Sequence, residues 1–393
     1  MAALPDGRRR QGGPADQEDG EEAREHESYP PQGRHAAVIV PDQASRAAQD
    51  FRLVAANAPA VNSDSVTGSS GDGRRDVLTF GETMLRLSPP GHQRLIQAPQ
   101  LDVWVAGSES NVAAALCALG LSATWVSRLP DTPLGRRIEH ALRAFGIDVS
   151  HIVWTPPDER VGIFYAEPGV EPRAPVVVYD RARSAASFLS AADLPDALLE
   201  GHRHLHVSGI TPALSPACAG AVSDALRRAK ARGLTTSLDV NYRARLWTPN
   251  VAAAALAPLL VSVDVLFCGR EDAALLFGLS GEDEARAAGL SARFGVPTVV
   301  LTAGESGAVG CDAGGCRAVP SVPLGATVER LGSGDAFAAG FLAGHLGGSG
   351  LEQSLRQGAA VAAFKRTVPG DMLLATRAEI AAALAREGRA AWR

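Results

Sequence analysis

Glu329-Arg330-Leu331-Gly332-Ser333-Gly334-Asp335-Ala336-Phe337-Ala338-Ala339-Gly340-Phe341-Leu342-Ala343-Gly344 opens with a Gly-Ser-Gly turn and runs on as small apolar residues, the composition of a buried helix. Glycines let the backbone approach a ligand and aim successive N–H groups at one point. A helix N-terminus adds a partial charge of about +0.5. Gly332, Ser333 and Gly334 can therefore form an anion hole for a phosphoryl group. Asp335 sits in the first helical turn, where its carboxylate would repel that phosphate. It has a use there if it takes a proton from a hydroxyl that then attacks phosphorus, since positioning and charge neutralisation carry most of phosphoryl transfer. The plain alternative is a helix start whose acidic residue suits the dipole; Gly-x-Gly-Asp alone leaves both open.

Outward from this stretch, apolar runs at Val77–Phe80, Thr124–Leu129, Val149–Trp154, His204–Val207, Thr235–Val240, Val263–Phe267 and Thr298–Leu301 predict buried strands. Helical sequence separates them, such as Asn111–Leu119, with Ser108 as its cap, and Pro133–Phe145. This βαβα alternation predicts a mostly parallel sheet with helices on both faces. Ligands of such sheets bind beyond the carboxyl ends of the strands. Gly81-Glu82, Gly107–Asn111, Ser208-Gly209, Asp239–Arg243, Gly269–Asp272 and Ala303-Gly304 are the candidates there. Short alternating stretches at Leu85–Leu87, Arg94–Ile96, Leu101–Val105, Val161–Ala166 and Val176–Tyr179 predict half-exposed strands of a second, smaller sheet.

The chain has 393 residues and a net charge of −5, which argues against a nucleic-acid partner. Of its 38 basic residues only Lys230 and Lys365 are lysines. Neither stands in a G-x-x-x-x-G-K-[ST] loop or a V-A-I-K strand, so ATP would be handled by another route. The longest apolar run, Val251–Val263, holds Pro258 and stops at Asp264, too short for a membrane span. No apolar stretch follows Arg8-Arg9-Arg10, so a secretory signal is not expected and a cytoplasmic location is. Five scattered cysteines predict reduced thiols; Cys311 and Cys316 should face each other across a hairpin as a thiol pair, and Cys268 should be inert core. His202, His204 and His206 share one face of a strand and are read as core rather than as a metal trio. Residues 1–75 hold 9 arginines and 12 acidic residues with few apolar ones, and are expected to be a disordered extension, from an upstream start or as a regulatory tail. Residues 76–393 are expected to form the catalytic domain.

The Gly332-x-Gly334-Asp335 core resembles the second signature, D-T-x-G-A-G-D, of the PfkB (ribokinase-like) carbohydrate kinases, with Glu329, Arg330 and Ser333 replacing three of its residues. The resemblance implies a three-layer α/β/α sandwich with a small β-sheet lid, here about 84–106 and 160–181. It implies Asp335 as catalytic base, Gly332, Ser333 and Gly334 as the anion hole, and ATP with Mg²⁺ as cofactors. Gly107-Ser108-Glu109-Ser110-Asn111 looks like the first signature, so Gly107 and Asn111 would contact sugar hydroxyls. Within the family the chain is most similar to 2-keto-3-deoxygluconate (KDG) kinases, through Gly81–Leu87, Tyr179-Asp180-Arg181, Ser184–Ser187 and Asp239–Trp247. That likeness implies that Tyr179, Arg181 and Arg243 hold the keto-acid end; Phe164, with Tyr165 beside it, stands where an aromatic hydroxyl is expected. The family's N-x-x-E reads Gly269-Arg270-Glu271-Asp272, so Asp272 would act on Mg²⁺ through water. Thr302, Gly304 and Gly307 would lie along the nucleotide and Gly358 beside the adenine. The expected partners are a sugar acid and ATP, without a membrane; a homo-oligomer is left open. A neutral-sugar kinase, or a non-catalytic sugar-binding regulator of the same fold, is the alternative.

Overall fold

The computed structural model describes residues 73–385; the extension expected over residues 1–75 lies almost wholly outside them. Fourteen strands are present among these residues. β1 (Arg75–Phe80), β4 (Ala123–Val126), β9 (His202–Ser208), β10 (Thr235–Asp239), β11 (Val265–Gly269) and β12 (Thr298–Thr302) pair in parallel, in the order β12-β11-β10-β9-β1-β4. The antiparallel strands β13 (Ala308–Asp312) and β14 (Gly315–Val319) extend the β12 edge to make eight strands.

Both faces of this sheet are covered, and period-two alternation shows how. Along β1, Val77 joins one apolar cluster while Leu78 and Phe80 join the other. Along β11, Val265 and Phe267 face the first cluster, Leu266 and Cys268 the second. The first face takes the helices Ser108–Ala118, Ser333–Leu346 and Leu351–Lys365; the second takes Pro216–Ala231. The last two helices of the first face approach closely because Gly340 and Gly358 leave room. A Cβ on Gly358 would stand 3.0 Å from the Phe337 carbonyl.

A separate four-stranded sheet has the order β3-β2-β7-β8, with β2 Met84–Ser88, β3 Asp102–Ala106, β7 Ile163–Glu167 and β8 Val176–Asp180. Its inner face carries Met84, Phe164 and Tyr179, packed with Leu331 from the turn before Gly332. A two-stranded ribbon, β5 (Arg128–Pro130) with β6 (Val153–Thr155), completes the set.

The structure corrects several expectations. Thr124–Leu129 is not one strand: at Ser127, whose carbonyl accepts the Val153 N–H at 2.9 Å, the chain leaves the main sheet for the ribbon. Arg94–Ile96 is a turn with Ile96 93% exposed, since no strand lies beside it to complete a ladder. Cys311 and Cys316 are opposite one another in the β13–β14 ladder and form a disulfide, not a pair of thiols. The hairpin brings their Cα atoms to 4.1 Å. The three alternating histidines are buried and hydrogen-bonded to Thr124, Thr235 and Ser237. No helix among the described residues is long and apolar enough to cross a membrane.

Candidate active site

Gly332 precedes the helix Ser333–Leu346 with φ +78°, the left-handed region that favours glycine. A Cβ there would also strike the Asp371 carbonyl, so the loop at 370–372 seals one side of the turn. The helix starts directly after this turn, where the Ser333 N–H donates to the Arg330 carbonyl at 3.2 Å. Asp335 follows in the first turn and is buried.

The Asp335 carboxylate is held from distant parts of the chain. Its Oδ1 accepts from the Ser108 hydroxyl at 2.8 Å, and its Oδ2 accepts from the Asn111 amide at 2.8 Å. Asn241, with φ +42°, donates to Ser108 Oγ at 2.8 Å and lies 3.5 Å from Asp335 Oδ1. Burial raises the Asp335 carboxyl above its ordinary range, opposed by the Asn111 and Ser108 hydrogen bonds and by the charge of Arg243. Gly107, not Ser108, caps the helix Ser108–Ala118, which corrects the cap assignment and frees the serine hydroxyl for Asp335.

Two more carboxylates stand at the same edge. Asp239 ends β10, and Asp272 lies in the first turn of the helix Arg270–Phe277. Burial, then the negative charges of Asp335 and Asp272, push Asp239 up to about 8, against the pull of Arg243. Asp272 is raised too, mainly by burial. Among the described residues no three His, Cys, Asp or Glu side chains are grouped tightly enough to hold a bare metal ion. A cation suited to this edge is one that keeps its waters, as Mg²⁺ does.

The two arginines expected at the sugar-acid end part company. Arg181 is buried and ion-paired with Glu82, whose other oxygen takes the Ser184 hydroxyl. Arg243 is exposed, makes one hydrogen bond to its neighbour's carbonyl, and is near enough to lower both Asp335 and Asp239. Tyr179 packs against Phe164 on the inner face of the small sheet, the rings tilted by 34° with centroids 5.7 Å apart.

Thr302 ends β12, and Gly304 and Gly307 bound the turn that follows, with φ +57° and +100°. Glu305 in that turn pairs with Arg330 at 2.7 Å, which ties it to the chain just before Gly332. Beyond Gly358, an apolar cleft of about 240 Å³ is lined by Val322, Leu324, Ala360, Phe364 and Leu384.

A family model for pfkB family carbohydrate kinases matches residues 74–377, a span that takes in every group just described except Leu384. The chain belongs to the pfkB family of carbohydrate kinases. It is an ATP-dependent carbohydrate kinase. It is 41% identical over 305 residues to the 2-dehydro-3-deoxygalactonokinase of Haloferax volcanii, covering 78% of this chain and 95% of that one. It is 31% identical over 320 residues to the 2-dehydro-3-deoxygluconokinase of Bacillus subtilis, covering 79% and 95%. The solved structure of the 2-dehydro-3-deoxygluconokinase of Thermotoga maritima superposes with TM-score 0.74 at 35% identity, over 79% of this chain and 98% of that one. The eight-stranded sheet with its separate small sheet is thus the ribokinase-like fold of this pfkB kinase.

Some side chains at the site of this pfkB kinase had no role assigned from the sequence, although Glu82 and Asn241 fall in the candidate stretches Gly81-Glu82 and Asp239–Arg243. Asn241 carries a weak signal, an Asn just after a strand, since Asn tolerates the left-handed conformation. Glu82 is placed by its position after β1, but its pairing is not readable because its partner Arg181 lies 99 residues away. Lys365 is one of two lysines among 38 basic residues, and its side chain is fully buried.

Proposed function

We propose that this pfkB kinase phosphorylates the terminal hydroxyl of a 2-keto-3-deoxy sugar acid, with 2-keto-3-deoxygalactonate or its C4 epimer KDG as acceptor. The observation that carries the reading is the exposed guanidinium of Arg243 beside Asp335. It is unpaired with any carboxylate among the described ion pairs, and its fork of donors fits an acceptor's carboxylate. Relatives named for one epimer or the other support the acid class; the greater identity to the galactonate enzyme widens the acceptor from KDG alone.

In this reading Asp335 takes the proton of the acceptor hydroxyl. The oxygen attacks the γ-phosphorus of ATP, the Gly332–Gly334 amides receive the migrating charge, and ADP leaves. Gly107 and Asn111 flank the acceptor, with Asn111 also fixing Asp335 through its amide. Tyr179 and Phe164 close the apolar side. Arg181 acts at one remove, locking Glu82 and the start of the lid sheet. The apolar cleft beyond Gly358 suits adenine, with Thr302, Gly304 and Gly307 along the phosphates. Asp272 and Asp239 would hold Mg²⁺ through water, and Mg²⁺ supplies neutralisation of the β- and γ-phosphate charge.

The test is kcat/KM for 2-keto-3-deoxygalactonate and KDG against fructose and ribose, repeated in Arg243→Ala. The acids should lead by roughly 10- to 100-fold, since hydrogen bonds to a charged group contribute ~1.5–3 kcal/mol. Arg243→Ala should erase most of that lead. Equal turnover of neutral sugars, or an unchanged ratio in the variant, overturns the reading.

A further inference from the structure

Arg86 lies at the middle of β2, a strand of the small sheet, yet its side chain is only 2% exposed. It points inward, beside Trp104, its cross-strand partner in β3, with the guanidinium 5.7 Å from the ring centroid. Its Nη1 stands 3.1 Å from Glu329 Oε2 and 3.0 Å from Asp371 Oδ2.

Both carboxylates belong to segments that build the anion hole. Glu329 is in the chain that enters the Gly332 turn. Asp371 is the residue whose carbonyl bounds Gly332 from the other side. Its neighbour Gly370 lies so close to Trp104 that a Cβ would stand 2.8 Å from the ring. Leu331 packs on Met84 and Phe164 of the same sheet. The fully buried Lys365 lies below, within the electrostatic reach of Asp371 and Glu329. Three charged groups, Arg86, Asp371 and Lys365, are thus removed from water at one junction, with Glu329 half-buried beside them. Such groups are costly to bury and stay ordered only while paired.

We propose that Arg86 is a positioning residue that couples the lid sheet to the anion hole: its ion pairs with Glu329 and Asp371 hold the Gly332–Gly334 turn in register, so the hole takes its working shape only while strand β2 is seated. Arg86 touches no reacting atom in this assignment. It acts on the chemical step through the two loops, and rests on the phosphoryl-transfer reading above. A misplacement of about 1 Å at a reacting group can cost ~10²-fold in rate.

Both carboxylates meet a single nitrogen, Nη1, so Arg86→Lys keeps the charge but loses the planar guanidinium over Trp104 that places this nitrogen between them. In the full chain it should lower kcat by ~10-fold or more while KM for sugar acid and ATP stays within about three-fold, the pattern of an interaction realised in the transition state. Arg86→Met combined with Asp371→Asn should lose no more than Arg86→Met alone, because the two act as one unit. Orthovanadate binding to the MgADP complex, followed by calorimetry, reports the anion hole without any acceptor. It should weaken by ~10-fold in Arg86→Lys while ADP binding alone is unchanged. A wild type inactive on every sugar acid sinks the acceptor assignment but leaves the vanadate result standing as the measure of the Arg86 link. If Arg86→Met fails to fold, Arg86→Lys decides. A kcat within three-fold of wild type, a loss confined to sugar KM, or unchanged vanadate binding each overturns the proposal.

Discussion

Asp335 receives hydrogen bonds from a hydroxyl and two carboxamides and has no direct ion-pair partner among the described residues, so burial is the main influence on its protonation. A base must be ionised to accept a proton, so its raised pKa sets an acid limb: kcat/KM should climb with pH over a window above the ordinary aspartate range. The Ser108 bond favours the charged form, so Ser108→Ala should move that limb to higher pH and cut kcat several-fold near neutrality. A limb that stays in place or moves down in the pH–rate profile refutes the assignment. Asp335→Asn keeps the shape and removes the base; kcat should fall by roughly 10²–10⁴-fold with the melting temperature preserved, checked by steady-state kinetics at saturating ATP. At this scale the turn glycines and Asp335 were legible, because backbone freedom and helix-start chemistry are local properties. Ser108 as a donor to Asp335 was not, since nothing local tells a cap from a donor 227 residues away.

Elements formed where periodicity and chain breakers agreed. β8, β10 and β12 each fall within one or two residues of the runs that predicted them. Failures came where a strand's partner mattered: residues 94–96 alternate like a strand but have nothing to pair with, and the 124–129 run changes sheets at Ser127. The β13–β14 hairpin adds a covalent link at the end of the main sheet. Closing so short a loop is worth about 2 kcal/mol in the chain-entropy account. Reduction should therefore lower Tm by ~2–6 °C. Differential scanning with and without reductant checks this, with Cys311→Ser/Cys316→Ser as the control that should not respond. Cys218 and Cys268 are buried thiols whose pKa burial raises, so they should contribute little to the reductant effect.

For the whole molecule, the described architecture begins with β1, whose Arg75 N–H donates to the Gly201 carbonyl at 2.9 Å. The 1–75 composition lacks the apolar residues a core needs. Removing residues 1–72 should leave Tm within about 2 °C and kcat within about two-fold. A larger fall in either, by melting curve and assay on the truncated chain, gives the segment a part in the kinase. The amino-acid order by itself determined the parallel sheet, the inward and outward alternation along its strands, and a glycine turn followed by a carboxylate at a helix start, because each is set by neighbours a few positions apart. Only the tertiary structure decided which charges meet. Arg181 took Glu82 rather than its chain neighbour Asp180, which pairs with Arg160 at 2.7 Å. Arg86 turned to the buried side of the small sheet, to Glu329 and Asp371, and Arg243 stayed exposed beside Asp335. The physical reason is desolvation. A buried charge must find its partner among whatever groups the fold brings within a few ångströms, and that set is drawn from segments a hundred residues or more apart in the chain.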